Sequence, residues 1–192
     1  MLYRSLLRLT LLSAALLWLG QVPANAQDSS FKSDFLTVLQ DCANANGVWS
    51  DDDKGYGCTV HAGEVMGPES VWAAIRDLPV TRIGHGVRSA DDPRLMEELA
   101  RRGTVLEVCP GSNVALGLYP DRAAHPLHRL IAAGVRVTLG SDDPPFFHTT
   151  LGTEYDMAGL GDAKLRGITR TAIEASFADE ATKQRLLREI GP

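Results

Sequence analysis

The sequence predicts an α/β chain built on a parallel sheet, and three observations carry that prediction. From Val60 onward, short apolar segments alternate with longer amphipathic ones, the rhythm of consecutive βα units. Proline or acidic residues open the longer segments and glycines close them, as helix ends require. Histidines, acids and glycines gather where each apolar segment stops, and in parallel βα folds the carboxyl ends of strands form one functional rim.

Strands are predicted at Cys58–His61, Thr81–Ile83, Thr104–Cys109 and Val135–Leu139, each a short apolar run. Helices are predicted between them at 69–77, 93–102 and 126–133. Gly67-Pro68 and His125-Pro126 place proline at or near a first helical position, and Asp91-Asp92 places acids at a helix start. Gly103 and Gly134 fall where a left-handed residue ends a helix. Beyond Leu151 the pattern is helical throughout, at 153–157, 162–177 and 180–190.

Residues 1–26 have the pattern of a secretory signal. Arg4 and Arg8 precede the uncharged apolar run Leu9–Gly20, and Ala24-Asn25-Ala26 supplies an A-x-A cleavage site. Periplasmic or secreted location is the expectation, with no stable membrane anchor after cleavage, and the formal charge falls from -5 to -7. Residues 27–59 form a lead of different composition, with a short amphipathic stretch and then a polar turn region bracketed by Cys42 and Cys58. In an exported chain those cysteines are expected to close a loop, worth about 2–4 kcal/mol. Residues 60–192 form the βα region.

Composition narrows the function. At 192 residues, 44% hydrophobic and 22% charged, the chain is ordinary globular material. A net charge of -5 argues against general nucleic-acid binding, which needs a basic stripe. A complete eight-unit barrel takes about 250 residues, more than are here. Gly84-His85-Gly86 does not extend to a dinucleotide loop, and the sequence has no Walker loop, H-E-x-x-H, G-x-S-x-G or H-x-E with P-C-x-x-C.

The strand ends read His61-Ala62-Gly63-Glu64, Gly84-His85-Gly86, Cys109-Pro110-Gly111-Ser112-Asn113 and Ser141-Asp142-Asp143-Pro144. Imidazoles with a carboxylate are natural ligands for a borderline metal such as zinc. A glutamate three residues beyond one of them is placed to move protons. Cys109 reads as a small buried hydrophobe, and His125, His128 and His148 as structural or surface histidines.

Together with Arg82-Ile83 and Glu107-Val108, these four words resemble the adenosine deaminase family in order and spacing. The resemblance runs from about Val60 to the C-terminus. It implies the second half of a TIM barrel, four βα units followed by C-terminal helices, and zinc-dependent hydrolytic deamination of an adenosine-type purine nucleoside to its 6-oxo form. It also implies roles. His61 and Asp142 would ligate zinc, Glu64 would protonate the purine ring, and His85 would orient the attacking hydroxide. Asp143 and the Gly63 amide would bind the purine edges.

The family pattern also has an H-x-H pair on its first strand. The five histidines here stand at 61, 85, 125, 128 and 148, so that pair is absent. An incomplete zinc ligand set and impaired turnover are therefore expected. The alternative expectation is an exported, non-catalytic binding protein carrying a degenerate deaminase fragment. A half barrel also presents two strand edges and an apolar inner face, for which self-association is expected.

Overall fold

In the computed structural model, residues 58–191 are described, and they lie in the unit Asn46–Pro192. The signal segment, most of the lead and Cys42 of the expected Cys42–Cys58 pair lie outside these residues. Four strands form one sheet in the order β1-β2-β3-β4, all neighbours parallel. They are β1 (Thr59–Ala62), β2 (Arg82–His85), β3 (Val105–Val108) and β4 (Arg136–Leu139). Consecutive strands that are all parallel need a crossover each time, so the helices between them fall on one side.

Local chemistry explains the helices. α1 (Pro68–Asp77) has proline at its start, Glu69 in its first turn and Arg76 in its last. Its buried Val71, Ala74 and Ile75 follow the i, i+3, i+4 spacing of one face. α2 (Pro93–Arg102) is capped by Asp92, whose side chain accepts the Arg94 N–H at 3.0 Å while also accepting Trp72 Nε1–H at 2.9 Å. Gly103, at φ 70°, ends it in the left-handed conformation. Then come α3 (Pro110–Ala115), α4 (Leu127–Ala132), α5 (Pro144–Phe147), α6 (Leu151–Met157), α7 (Asp162–Ala175) and α8 (Glu180–Ile190). Among the described helices, none is long and apolar enough to cross a membrane.

The sheet has two unlike faces. Ile83 and Leu106 on one face are fully buried, with Val60 and Val137 nearly so, together with Val71, Leu95 and Leu99 from the helices. Burying each such side chain stabilises the fold by roughly 1.5–3 kcal/mol. The opposite face carries Thr59, His61, Arg82, Glu107, Arg136 and Thr138 at matched register, with Val105 buried among them. The expectation of an apolar inner face is thus corrected. Thr59 Oγ1 donates to Glu107 Oε2 at 2.8 Å, and Arg82 pairs with Glu107 while its guanidinium sits 4.8 Å from the centre of the Phe177 ring. Arg136 reaches Glu174 of α7 at 2.8 Å. Charged side chains tie this face to the end of α7.

The predicted strands are shifted by a residue or two, within ordinary end fraying. Three short elements escape the sequence reading: a 3₁₀ turn at Val87–Asp91, α3 and α5. α3 begins Pro-Gly-Ser-Asn and α5 is Pro-Pro-Phe-Phe, compositions that also spell turns.

Candidate active site

The carboxyl end of the sheet is held in an unusual backbone. Among the described residues, the non-glycine residues with positive φ are His85 (61°), Asp142 (56°) and His148 (53°). Two of these are sequence-predicted site residues. Such conformations cost of order 1–3 kcal/mol each and persist where the surroundings impose them. Gly63 shares the trait at φ 65°. Its carbonyl accepts the Arg88 N–H at 2.8 Å, and Gly86 N–H donates to Ala62 O at 2.9 Å, lacing the ends of β1 and β2 together.

Five side chains converge there. His61 packs across Gly84, where a Cβ would meet its ring at 3.1 Å and press the imidazole aside by a few tenths of an ångström. The His61 and His85 ring centres are 5.2 Å apart. His85 is 3% exposed; its Nε2 lies 3.8 Å from Asp142 Oδ2 and its Nδ1 lies 3.4 Å from Glu64 Oε1. Nδ1 of His85 is a buried nitrogen with no hydrogen-bond partner. Cys109 Sγ joins His85 and Asp142, with the three donor atoms within 4.8 Å of one another.

Burial sets the protonation states. Desolvation, with the Asp142 charge adding to it, pushes Glu64 up to about 7, against a hydrogen bond from Asn113 that favours the ionised form. Desolvation, then the neighbouring His61, brings His85 down to about 4. His61 is the more exposed imidazole, yet lost hydration also lowers its pKa, with Asp142 opposing. Burial raises the Cys109 thiol to about 12. At neutral pH the site therefore presents two neutral imidazoles, a thiol, and a glutamate poised between its two forms.

Two predicted substrate groups sit differently. Asp143 starts α5 and makes no capping hydrogen bond with its side chain, so its carboxylate is not committed to the helix. The Gly63 N–H, in contrast, donates to Ser70 Oγ at 2.8 Å. Contact between that amide and a purine edge requires Ser70 to give way.

Three residues escaped the sequence reading. Asn113 Nδ2 donates to Glu64 Oε1 at 3.2 Å, and Asn113 Oδ1 lies 3.1 Å from His125 Nε2. Both Asn113 (0% exposed) and His125 (6%) are buried. Glu154 is fully buried too; it accepts the Gly111 N–H at 2.8 Å, and desolvation raises its pKa. A buried acid in a helix and a histidine before proline give little sequence signal. Asn113 was visible in its motif but without a role. His128, whose Nε2 meets Ala158 O at 2.8 Å, and the exposed His148 stand away from the site.

A parallel four-stranded βα sheet with its polar residues gathered at the strand ends is the architecture of part of a TIM barrel. Structural likeness bears this out. Adenine deaminase from Arthrobacter aurescens superposes with a TM-score of 0.70 at 30% identity, covering 81% of this chain and 46% of that one. An amidohydrolase from Burkholderia ambifaria, with bound Zn, shares the fold at a TM-score of 0.63 and 24% identity, covering 79% of this chain and 50% of that one. The chain belongs to the adenosine deaminase family, whose model, described as "Adenosine deaminase", matches residues 44–191. Among curated relatives, adenine deaminase of Rhizobium leguminosarum bv. trifolii (strain WSM2304) is 57% identical over 142 residues, which is 72% of this chain and 44% of that protein. The chain thus spans less than half the length of the curated relatives it matches.

Proposed function

We propose that the strand-end site serves hydrolytic deamination of a 6-aminopurine, with adenine favoured over adenosine. The observation that carries the reading is Glu64. It is a carboxyl raised to about 7 beside a neutral His85 and the Asp142 carboxylate, and a general acid is most effective with its pKa near working pH. Relatives named adenine deaminase, at 57% identity, support the base over the nucleoside.

The reaction exchanges the C6 amino group for oxygen, consuming water and releasing ammonia. Glu64 gives a proton to the ring nitrogen as C6 becomes tetrahedral, which turns a resistant aromatic amidine into one that accepts a nucleophile. His85, neutral and held over the same point, hydrogen-bonds the incoming oxygen. Asp143 receives an N–H from the imidazole edge of the base.

The donor set suits a zinc ion: among the described residues an imidazole (His85), a thiol (Cys109) and a carboxylate (Asp142) have donor atoms within 4.8 Å of one another, and the His61 ring lies beside that group, 5.2 Å from the His85 ring centre to centre. His61 and Asp142 would hold it. Bound there, zinc supplies water acidic enough to act as a nucleophile at neutral pH. Catalytic zinc sites usually have three protein ligands, so the hold is weak and turnover slow with these two alone. Ammonia release from adenine and from adenosine, measured on the zinc-supplemented chain, tests the proposal. Activity on adenine that Glu64→Gln abolishes is expected; activity that survives this change overturns it.

A further inference from the structure

We propose that His125 and Asn113 form a relay that fixes the orientation of the Glu64 carboxyl and leaves Oε2 as the oxygen that carries its proton. The inference rests on the reading of Glu64 as the acid and goes beyond it, because it assigns positioning roles to two residues that touch no substrate.

The polarity of the relay follows from one backbone group. Leu127 N–H donates to His125 Nδ1 at 3.2 Å, so Nδ1 must offer a lone pair. A neutral imidazole has one N–H, which is then on Nε2. That nitrogen lies 3.1 Å from Asn113 Oδ1 and donates to it. The amide can therefore stand only one way round, with its NH₂ toward Glu64 Oε1 at 3.2 Å. A flipped amide would set NH₂ against N–H at one end and oxygen against oxygen at the other. Oε1 is thus an acceptor, and among the described residues no group bonds Oε2.

The surroundings make the relay rigid. Asn113 is fixed at its backbone too, its N–H donating to Cys109 O at 3.2 Å and its carbonyl accepting the Leu118 N–H at 3.0 Å. The Tyr119 ring meets His125 edge-on with centres 5.0 Å apart. Burial, with His128 nearby, keeps His125 neutral far below its usual range, so the donor on Nε2 persists at working pH. Hydrogen-bonded buried chains rigidify what they hold, and His125 Nδ1 and Nε2, Asn113 Oδ1 and Glu64 Oε1 each have a partner. Here the end of the chain is a carboxyl whose oxygens lie at the centre of the site.

The test is nuclear magnetic resonance on the full chain, with labelled histidine and asparagine. The expected result is His125 protonated on Nε2 and neutral at pH 6, with the Asn113 side-chain amide protected from exchange. His125→Phe should speed that exchange about tenfold or more, and His125→Gln, which can both accept and donate, should restore the protection. Where turnover is measurable, His125→Phe should lower kcat about tenfold with KM nearly unchanged, and His125→Gln should recover it. A proton on Nδ1, a charged His125, or an Asn113 amide indifferent to His125→Phe overturns the relay. So does a kcat untouched by His125→Phe. Absence of deamination in the wild-type chain would instead sink the reading of Glu64 while the amide exchange still decides the relay.

Discussion

His85 Nε2 faces Asp142 Oδ2 across 3.8 Å, and both residues hold left-handed backbone, at φ 61° and 56°. They sit at the ends of β2 and β4, with β3 between them. Neither is glycine, and neither conformation is needed merely to leave a strand. The left-handed turns bring the imidazole and the carboxylate into one cluster with Glu64 and Cys109. Strain kept at two partners of one site marks it as a place where geometry is held for chemistry.

Glu64→Gln keeps the shape of the side chain and its bond from Asn113 but removes the acid. Deamination should fall by about 10²–10⁴-fold, while zinc content and thermal unfolding stay near wild type. Steady-state kinetics beside a melting curve checks this.

The pH dependence has a definite sign. Glu64 must be protonated to act, and in the metal-free site desolvation with the Asp142 charge raises its pKa to about 7. Zinc on Asp142 would remove part of that push, so kcat/KM should be level in acid and fall about tenfold per unit above a pKa at or below about 7. A profile that rises through pH 7 would assign Glu64 the role of base.

Stability should fall in acid because of His125. Burial, then His128, brings its folded-state pKa from the ordinary 6.5 to about 4, so the unfolded chain takes up the proton first. The contribution is complete above about pH 6.5 and is lost as pH falls toward 4, amounting to about 3 kcal/mol. Urea unfolding at pH 7 and 4.5 measures it, and His125→Phe should shrink the difference while leaving the part that the similarly depressed His85 contributes.

Gly84→Ala places a Cβ 3.1 Å from the His61 ring. The imidazole must move by a few tenths of an ångström, and zinc affinity should drop about tenfold with the fold retained. A competition titration with a coloured chelator reads it directly. Unchanged affinity would remove His61 from the metal site.

Much of this was legible in the residues. Apolar runs and their proline and glycine punctuation located all four strands and the long helices. The strand-end words located His61, Glu64, His85 and Asp142. Three things were not legible. The polar face of the sheet is not visible in any single run, because Arg82, Glu107 and Thr59 become neighbours only once strand register is set. The Ser70 hydroxyl that occupies the Gly63 N–H comes from a helix seven residues on, a contact no motif encodes. A histidine before proline carries no burial pattern, so the sequence leaves His125 open between a structural and a surface role, and the fold makes it structural. Its partner Asn113 lies 12 residues away, and the bond between them is tertiary.

Zinc content measured beside adenine turnover, on the same purified chain, tests the central claim most directly. Substoichiometric zinc, bound reversibly, with slow ammonia release that scales with zinc and disappears in Glu64→Gln, is the expected result. A chain that binds no zinc and releases no ammonia at saturating adenine would contradict the assignment of a deaminase site to these strand ends.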